Sequence, residues 1–568
     1  MEITQIIFDL EAGTETSSTG PGTSVTIVNG TKAAKEIEVS SEPFIFFEKI
    51  AHEIEHPFCI LIQKGSRVDF EVLNEVLQAM QDQQADMAIA QVQDTGQRLS
   101  ILPRRIEELR FSSLVPMGAV LFTSAHFSKT IQKSTTNTWD TWWYFDLVRH
   151  GVSTGLVYLA DRVMTRIDRS LPNQARGLVP LVRPMLSSTS AGEPIILIYG
   201  AIEASVSLYF EGLPFDLQRQ IRFYSPCDPI TDLPHLAMAS AVIIVRDFEH
   251  MATNGLLEIL TDMKVPLFWF TDDHLESLRP EYDAFRYYDS AAMKAFLSRV
   301  QGVLVSTLPL REVYQKRHDK VILWPPVFDE TLAGPMSAEP NPANFHVGAF
   351  GGSFRRNSLV DDVMPAIEQL STDFEISLYL RADLARGMEA KKVVPMPFDS
   401  SYRQFVFRWQ RLALHAIVHP FGVTRNIGNK SLGSILTARY LGAVPIVAAE
   451  HAQRELGEKQ GVLVVERDSN SWKEALQQTK NREKRVRLFA ALDSWCREEF
   501  YPEKSREPYS QLMRMLPDRQ AIDMEWRFAR ALAHPKMKEL MRPVATSKNS
   551  KRLSLFESIH QFVTRNPR

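Results

Sequence analysis

Residues 419–450 read HPFGVTRNIGNKSLGSILTARYLGAVPIVAAE. A loop with glycines comes first, a segment with Leu432, Leu436 and Tyr440 at helical spacing follows, and the apolar run 444–449 ends the stretch. Loop, helix, tight turn and buried strand follow one another in this order in one half of a parallel α/β nucleotide site. The stretch therefore predicts such a unit, with an ordinary loop-helix-strand unit as the alternative.

The start of this helix is predicted to bind an anion. Its first backbone amides, near Asn429 to Leu432, have no partner inside the helix, and the helix dipole adds partial positive charge, to which Lys430 adds a full charge. Gly428 lets a ligand approach the backbone closely, and Gly442 is expected to cap the end of the helix. A diphosphate is the ligand that this chemistry favours.

The composition indicates a multidomain protein of the cytoplasm. With 568 residues, 44% of them hydrophobic, the chain is expected to form about three or four domains. Its net charge of -3 gives no general affinity for polyanions, so nucleic acid is not an expected partner. Three cysteines without a CxxC pair fit a reducing compartment. No apolar run reaches the ~18 residues of a membrane span, and the start lacks a secretory pattern, so we expect neither insertion nor export.

The first domain, 1–190, is predicted to be α/β with a largely parallel sheet, because short apolar strands alternate with helical segments. Residues 52–56 read HEIEH, which matches the HExxH pattern of zinc proteases through His52 and His56. Pro57 and a strand follow at once, whereas a metal-binding helix would continue, so we favour an exposed helix end over a zinc site. The predicted elements are strands 23–28, 58–62, 87–90 and 119–122 and a helix over 70–81.

The same domain contains FCILIQKGSRVDFEVLNEVL at 58–77, and Trp139-Asp140 followed eleven residues later by Gly151. In these stretches it resembles the nucleotide-sugar half of inverting glycosyltransferases of the GT-A type. The resemblance makes Asp140 the catalytic base, but it places Gln63 and Gly65 at the DxD metal positions, and neither supplies the carboxylate oxygens that a divalent ion needs. We therefore expect this domain to serve docking or acceptor recognition rather than metal-dependent donor binding.

A second domain, 194–340, is predicted to begin after the linker SSTSAGE at 187–193. Asp272 and Asp273 follow its third strand, at the edge where open α/β sheets bind ligands. Together with His274 they are candidates for acceptor contact or acid-base catalysis; the alternative is a solvated loop whose carboxylates cap a helix. The predicted strands are 194–199, 241–245, 266–270, 302–306 and 321–324.

A third domain, 345–500, is predicted to begin with a strand that runs into a Gly-rich turn, HVGAFGGSFRRNS at 346–358. The turn allows close approach of a ligand to the backbone, and its arginines can neutralise phosphate charge. Two consecutive Rossmann-like units with a cleft between them are the simplest architecture. The candidate ligand residues of the turn are Gly351, Gly352, Ser353, Arg355 and Arg356.

Several motifs of the third domain occur in a fixed order. They are Gly352-Ser353 after the first strand, Lys430-Ser431 before a helix, GAVP at 442–445, GVLV at 461–464 and WKEAL at 472–476. With these motifs the block 345–476 resembles the donor-binding domain of retaining glycosyltransferases of the GT-B type, especially the branch that builds bacterial surface polysaccharides. The likeness covers roughly 194–500.

The resemblance implies a nucleotide-sugar donor held in a cleft between 194–330 and 345–490. Lys430 and one of the two arginines, Arg355 or Arg356, would stabilise the departing nucleoside diphosphate with the helix N-terminus, so no metal ion is required at that step. The remaining donor contacts are expected from Gly351, Gly352, Ser353, Asn429, Ser431 and Thr437. Thr437 stands where the family has a glutamate for the ribose hydroxyls, so that contact would lose charge assistance.

The last segment, 501–568, is predicted to be helical and polar, and a late helix of GT-B enzymes often crosses back onto the first domain of the pair. Residues 552–564 are predicted to form a basic amphipathic helix with Leu555, Phe556 and Ile559 on one side. Peripheral binding to a membrane beside lipid-linked acceptors is one hypothesis for this helix. Packing against the protein itself or a partner is the other.

The sequence thus predicts a glycosyltransferase of α/β class, with a GT-A-like domain, a GT-B pair and a helical tail. Its expected partners are a nucleotide-sugar donor and a glycan or lipid-linked acceptor. A degenerate, non-catalytic sugar- or nucleotide-binding scaffold is the alternative, because both resemblances lack a family carboxylate. A zinc hydrolase built on HExxH is a more distant one.

Overall fold

A computed structural model describes part of the 568-residue chain. The linker 187–193, the residues His52, Gly65 and Asp140, and the amphipathic segment 552–564 lie outside the described residues, so the predictions made on them stay predictions. The described residues are 3–8, 24–29, 35–38, 50–51, 53–63, 66–93, 119–133, 148, 151, 155–166, 195–201, 203–218, 220–224, 226, 229–336, 344–373, 375–386, 388, 392–397, 399, 401–450, 454–517 and 524–541.

The chain divides into two compact units, 1–188 and 189–568. The first unit holds one eight-stranded sheet, and the second holds two six-stranded sheets. Within the part of the chain that the structure describes, no helix is both long and apolar enough to cross a bilayer.

The sheet of the first unit is mixed. Its order is β3-β2-β1-β4-β7-β6-β8-β5, and only the pairs β1·β4 and β6·β8 are parallel among the pairs described. The prediction of a largely parallel sheet is wrong here, because alternation of strands and helices along the chain does not determine the direction in which each strand enters the sheet. The strands are β1 Thr4–Phe8, β2 Ser24–Asn29, β3 Lys35–Glu38, β4 Phe58–Gln63, β5 Arg67–Val68, β6 Met87–Gln93, β7 Val120–Thr123 and β8 Val157–Arg166.

Helix α1, Phe70–Asp82, agrees closely with the helix predicted over 70–81. The carboxylate of Asp69 accepts hydrogen bonds from the amides of Glu71 and Val72 and so caps the start of the helix. Leu73, Val76, Leu77 and Met80 recur at helical spacing and pack into a core with the apolar side of the sheet. A second helix of this unit, α2, covers Ser124–Lys133.

The two sheets of the second unit are wholly parallel in their described pairs. The first has the order β10-β9-β11-β12-β13-β14, and the second has β17-β16-β15-β18-β19-β20. Numbered within its own sheet, the second is 3-2-1-4-5-6, the Rossmann order, and the first is 2-1-3-4-5-6, the related doubly wound order with one strand added. These orders confirm the predicted α/β class with a pair of Rossmann-like domains. The strands are β9 Ile196–Tyr199, β10 Ile221–Tyr224, β11 Ala241–Val245, β12 Leu267–Thr271, β13 Gly302–Val305, β14 Val321–Leu323, β15 Asn344–Ala349, β16 Glu375–Arg381, β17 Val393–Met396, β18 Ala416–His419, β19 Val444–Ala448 and β20 Leu463–Val465.

The central strands are almost entirely apolar, as expected for parallel sheets with helices on both faces. Every residue of β11, β12 and β19 is buried. The helices of this unit are α3 Ala204–Val206, α4 Phe215–Gln218, α5 Pro229–Met238, α6 Glu249–Thr253, α7 Leu256–Asp262, α8 Leu275–Leu278, α9 Ser290–Leu297, α10 Leu308–Gln315, α11 Arg356–Ser358, α12 Met364–Leu370, α13 Ala382–Ala385, α14 Tyr402–Gln410, α15 Gly433–Tyr440, α16 Ser469–Lys480, α17 Arg482–Glu499, α18 Arg506–Met513, α19 Met524–Ala533 and α20 Pro535–Met541. A π-helical segment, Ser207–Glu211, extends α3.

The helices after residue 500 return to the first Rossmann-like domain, an arrangement that the resemblance to GT-B enzymes implies. The hydroxyl of Tyr509 donates to Gln220 Oε1 at 2.7 Å, and Arg506 pairs with Asp216 at 2.7 Å. In α19 the buried guanidinium of Arg527 donates to the carbonyls of Ala237 and Ala239. The chain therefore closes back over the domain in which this unit begins.

Candidate functional site

A cavity of about 340 Å³ lies between the two Rossmann-like domains. The strand order reverses between β9 and β11 in one sheet and between β15 and β18 in the other, and ligands of open α/β sheets bind at the carboxyl ends of strands beside such a reversal. Glu203 and Asp273, which follow β9 and β12, line one side of the cavity. Gly351, just after β15, and His419, the last residue of β18, line the other. Both ligand-binding edges thus open into one space.

The Gly-rich turn after β15 contributes two of the candidate ligand residues, Gly351 and Gly352, to the cavity wall. Gly351 has a φ of +121°, a conformation that residues with a Cβ rarely adopt. A Cβ on Gly352 would overlap the ring of Phe354, which lies under the guanidinium of Arg355 at 5.1 Å. The turn is therefore a close-packed glycine surface. Ser353 begins a short 3₁₀ turn, Ser353–Arg355.

The start of α15 lies slightly later than the sequence predicts. A 3₁₀ turn covers Ile427–Asn429, Lys430 is extended with φ -66° and ψ 138°, and the helix begins at Gly433. Lys430 and Ser431 line the cavity just ahead of the helix. Asn429 does not line it; its carbonyl accepts a hydrogen bond from Thr307 in the first domain at 3.2 Å. Of the residues predicted to bind an anion here, Lys430 and Ser431 line the cavity, and the first turn of α15 follows them.

Lys430 and Asp273, both predicted as site residues, are paired across the cleft. Lys430 Nζ lies 2.6 Å from Asp273 Oδ1, and Arg246 Nη2 lies 2.8 Å from Asp273 Oδ2. The amide of Asn426 also donates to this carboxylate. Burial alone would raise the pKa of Asp273, but Lys430 and Arg246 outweigh it and lower that pKa. Asp273 is thus a buried anion that holds two cations.

Asp272 has a different environment. Its carboxylate accepts a hydrogen bond from Ser205 Oγ at 2.8 Å and lies 3.5 Å from Arg246 Nε. Burial, reinforced by the charge of Asp273 and opposed by Arg246, raises the pKa of Asp272. Its Oδ1 is buried without a hydrogen-bond partner among the described residues, and the residue lines the cavity. Such a carboxyl is suited to exchange a proton with a ligand.

His274, the third acceptor-side candidate, does not line the cavity. Its backbone amide donates to Asn426 Oδ1 at 2.9 Å, and its ring lies 3.6 Å from Glu276. The residue therefore joins the loop after β12 to the loop before α15.

The two predicted arginines differ in position. Arg355 is buried in the cavity wall, where its Nη atoms lie 3.2 Å from the two carboxylate oxygens of Glu450 and also donate to the carbonyl of Pro420. Burial lowers the pKa of Arg355, against the effect of Glu450. Arg356 lies outside the cavity and donates to the carbonyl of Arg386 at 2.6 Å.

Thr437, the residue at the position of the family glutamate, lines the cavity and is already hydrogen bonded. Its hydroxyl donates to the carbonyl of Gly433 at 2.7 Å and lies 2.7 Å from the hydroxyl of Tyr402. Because a hydroxyl has one proton, Thr437 then accepts from Tyr402. Its proton is committed to Gly433, but one lone pair of its oxygen is left to accept a hydrogen bond from a ribose hydroxyl.

Several cavity residues were not predicted. Tyr209, on the π-helical segment after β9, bonds to Ser431 Oγ at 2.8 Å across the cleft. Asp399 pairs with Arg408, at 3.1 Å between Oδ2 and Nε, and burial raises the pKa of Asp399. His419 is part of the stretch that carries the strongest sequence signal, and its place at the carboxyl end of a buried strand is the clue that could have identified it.

A buried ionic cluster joins the two domains beside the cavity. Arg403, which is 1% exposed, lies 2.9 Å from Glu211 and 2.7 Å from Asp329. Its guanidinium also donates to Thr331 Oγ1. Glu211 belongs to the first domain and Arg403 to α14 of the second, so the cluster fixes their separation next to Tyr402.

The zinc site that the HExxH pattern suggests is only partly covered by the described residues. Among the described residues, no group of three or more His, Cys, Asp or Glu side chains is placed to hold a metal ion. His52 of the HExxH pattern is outside those residues. The zinc alternative stays a prediction.

Of the protein families, curated proteins and solved structures compared with the chain, only solved structures match it. No protein-family model matches the chain, and no curated protein matches it by sequence. Solved structures that resemble part of it include Neisseria meningitidis UDP-GlcNAc 2-epimerase bound to UDP-GlcNAc, with 12% identity, 56% of this chain and 99% of that chain covered, and a TM-score of 0.33. TarM of S. aureus is 10% identical, the match covers 50% of this chain and 58% of TarM, and the TM-score is 0.35. Arabidopsis thaliana UGT89C1 complexed with UDP is 11% identical, the match covers 57% of this chain and 99% of that chain, and the TM-score is 0.31. The fold assignment rests on the strand orders above.

Proposed function

We propose that the chain is a glycosyltransferase that takes a sugar from a nucleotide-sugar donor and transfers it to a glycan or lipid-linked acceptor. One observation carries the proposal. The ligand-binding edges of two Rossmann-like sheets open into one cavity, and its wall combines the Gly351-Gly352 turn with Lys430 at the start of α15. This combination of close backbone approach, a cation and a helix N-terminus suits a diphosphate.

Lys430 would stabilise the departing nucleoside diphosphate. An ammonium group has three N–H donors, and the contact with Asp273 uses one of them, so two remain for phosphate oxygens. Asp273, held in turn by Arg246, would keep Lys430 in place before the donor arrives. Such a preorganised cation lowers the barrier without reorganisation during the reaction. The proposal requires no metal ion at this step.

Arg355 would have a structural role in the cavity wall and would not contact the donor directly. Its guanidinium is committed to Glu450 and to the carbonyl of Pro420, so it would hold the Gly-rich turn against the loop that precedes α15. Arg356 lies outside the cavity and has no part in this proposal. The backbone of Gly351 and Gly352 would then meet the phosphates.

Asp272 would face the acceptor. Its raised pKa would favour proton exchange with a ligand, and the hydrogen bond from Ser205 would orient the carboxyl at the cavity wall of the first domain. We infer a role in orienting the acceptor hydroxyl and in moving its proton. Retention of anomeric configuration, a part in bacterial surface polysaccharide synthesis, a cytoplasmic location and peripheral membrane contact through 552–564 follow only from the sequence pattern and the resemblance, and belong to the proposal on that ground.

A ligand screen with a turnover assay tests the proposal. The protein is first heated with UDP-, GDP-, dTDP- and CMP-sugars, because a ligand at a hundredfold excess over Kd stabilises the folded state by roughly 2.7 kcal/mol. Sugar nucleotides that raise Tm are then assayed for nucleotide release with a panel of glycan and lipid-linked acceptors. Stabilisation by a nucleotide sugar followed by release supports the proposal. No stabilisation by any of them contradicts it, and binding without release on any acceptor points to the non-catalytic scaffold.

A further inference from the structure

The permanently charged side chains around the cavity balance one another in sign. Among the described residues that line it, four are carboxylates and three are cations: Glu203, Asp272, Asp273 and Asp399 against Arg355, Arg381 and Lys430. Their bonded partners Arg246, Arg408 and Glu450 bring the balance to five of each sign. A donor diphosphate carries about two negative charges, so one further positive charge beside Lys430 would favour its binding.

His419 is placed to supply that charge. It is 8% exposed, it lines the cavity at the end of β18, and its ring lies 6.2 Å from that of Phe350. Its Nδ1 is buried and has no hydrogen-bond partner among the described residues. A buried ring nitrogen without a partner is costly to keep, and it is accounted for if a ligand completes it.

The charged groups around His419 come from four segments. Arg355 follows the Gly-rich turn, Lys430 precedes α15, and Glu450 follows β19 and pairs with Arg355. Asp273, across the cleft, pairs with Lys430. Burial, together with the positive charges of Arg355 and Lys430, lowers the pKa of His419 well below that of a free histidine. Before a donor binds, the imidazole is therefore neutral near pH 7.

We propose that His419 takes up one proton from solvent when the diphosphate of the donor binds, and that the imidazolium so formed donates a hydrogen bond to the diphosphate. The inference rests on the proposed function, since it assigns a residue and a proton to the same donor site. Bound phosphate charge offsets the repulsion from Arg355 and Lys430 and favours the protonated ring. His419 thereby becomes a donor-binding residue whose charge appears only with the ligand.

The direction of the pH effect follows from linkage. The free protein has His419 neutral, and the complex has it protonated, so binding consumes a proton and the affinity for donor rises as the pH falls. The affinity stops rising once the pH falls below the pKa of His419 in the free protein, because His419 is then protonated both with and without the donor. The total increase in donor affinity is about tenfold for each unit by which donor binding raises the pKa of His419.

Isothermal titration with UDP-glucose, GDP-mannose and dTDP-glucose tests the inference. A diphosphate esterified at both ends has no proton to exchange near neutral pH, so proton uptake measured in buffers of different ionisation enthalpy belongs to the protein. The wild type is compared with H419Q and H419N. H318Q is the matched control, because His318 binds backbone carbonyls outside the cavity. D272N is included because Asp272 also has a raised pKa and lines the cavity.

We expect net proton uptake on donor binding between pH 8 and pH 6, its loss in H419Q and H419N, and its retention in H318Q and D272N. Uptake that persists in folded H419Q or H419N, or that disappears in D272N alone, overturns the inference while the proposed function stands. If the substitutions prevent folding, wild-type binding without proton uptake between pH 8 and pH 6 overturns it equally. Absence of binding by all three nucleotide sugars contradicts the proposed function itself.

Discussion

Lys430 Nζ lies 2.6 Å from Asp273 Oδ1, and this contact joins the loop before α15 to the loop after β12 of the other Rossmann-like domain. Lys430, the leading candidate for binding the donor diphosphate, is therefore held by Asp273, which the sequence analysis assigns to the acceptor side. Asp273 is itself fixed by Arg246, at 2.8 Å. The position of Lys430 thus depends on residues of both domains.

Replacing Lys430 should weaken donor binding. A charge-assisted hydrogen bond contributes about 1.5–3 kcal/mol, so Lys430→Ala should lower the affinity for the preferred nucleotide sugar about 10- to 100-fold in isothermal titration. Lys430→Arg, which keeps the charge, should lose less. Lys484→Ala is a matched control, because Lys484 also pairs with a carboxylate, that of Glu458, but outside the cavity. Equal losses in the alanine variants would contradict a direct role.

Removing the charge of Asp273 should destabilise the fold. Asp273→Asn leaves Arg246 and Lys430 without their shared counter-charge, and since both are about one third exposed we expect a loss of about 2 kcal/mol, less than for a fully buried pair. Urea unfolding measures it. Adding Lys430→Met should restore part of the loss, because one unpaired cation is removed. Strictly additive losses in the double variant would show that the pair is not energetically coupled.

We expect the cluster around Arg403 to contribute more to the free energy of unfolding than the contact between Lys430 and Asp273. Arg403→Met leaves Glu211 and Asp329 buried without a cation, which typically costs about 3–5 kcal/mol. Arg408→Met removes an arginine of the same helix that pairs with one carboxylate, Asp399, and should cost clearly less. Similar losses for both variants in denaturant unfolding would contradict the role given to the cluster.

His235 should make the protein sensitive to mild acid. Burial lowers the pKa of His235 to about 4, and its Nε2 has no hydrogen-bond partner among the described residues. Below its unfolded pKa of about 6.5 the unfolded chain binds a proton that the folded chain does not, so stability falls as the pH drops from about 6.5 to about 4. The pKa difference corresponds to about 3 kcal/mol.

The substitution His235→Phe isolates this effect, because phenylalanine keeps a ring beside Tyr224 without a titrating group. We expect the free energy of unfolding of the variant to fall less steeply than that of the wild type over the same pH range. His318→Gln, at a histidine with two carbonyl contacts, serves as the control. The same slope in wild type and His235→Phe would refute the assignment.

The sequence predicts much of the unit around residues 419–450, because its signals are local. The apolar strand β19 and Gly442, with a φ of +74°, lie where the pattern places them. The exact start of α15 was missed, since the 3₁₀ turn over Ile427–Asn429 and the extended Lys430 delay the helix to Gly433.

The edge strands β10 and β17 and the contacts across the cleft could not be predicted from the sequence pattern. In β10 and β17 the burial is incomplete, and Arg222 and Pro395 interrupt the apolar runs, so neither strand was predicted. Lys430 and Asp273 are 157 residues apart in the chain and belong to different sheets. Without knowledge of which sheet edges face each other, no spacing rule brings two such residues together.

A crystal of the protein soaked with the nucleotide sugar that stabilises it most provides the most direct test of the donor site. We predict that the diphosphate lies in the cavity, with a phosphate oxygen about 3 Å from Lys430 Nζ and the phosphates against Gly351 and Gly352. Density for the nucleotide sugar elsewhere on the chain, or in this cavity with its diphosphate turned away from Lys430, would contradict a donor site at the start of α15.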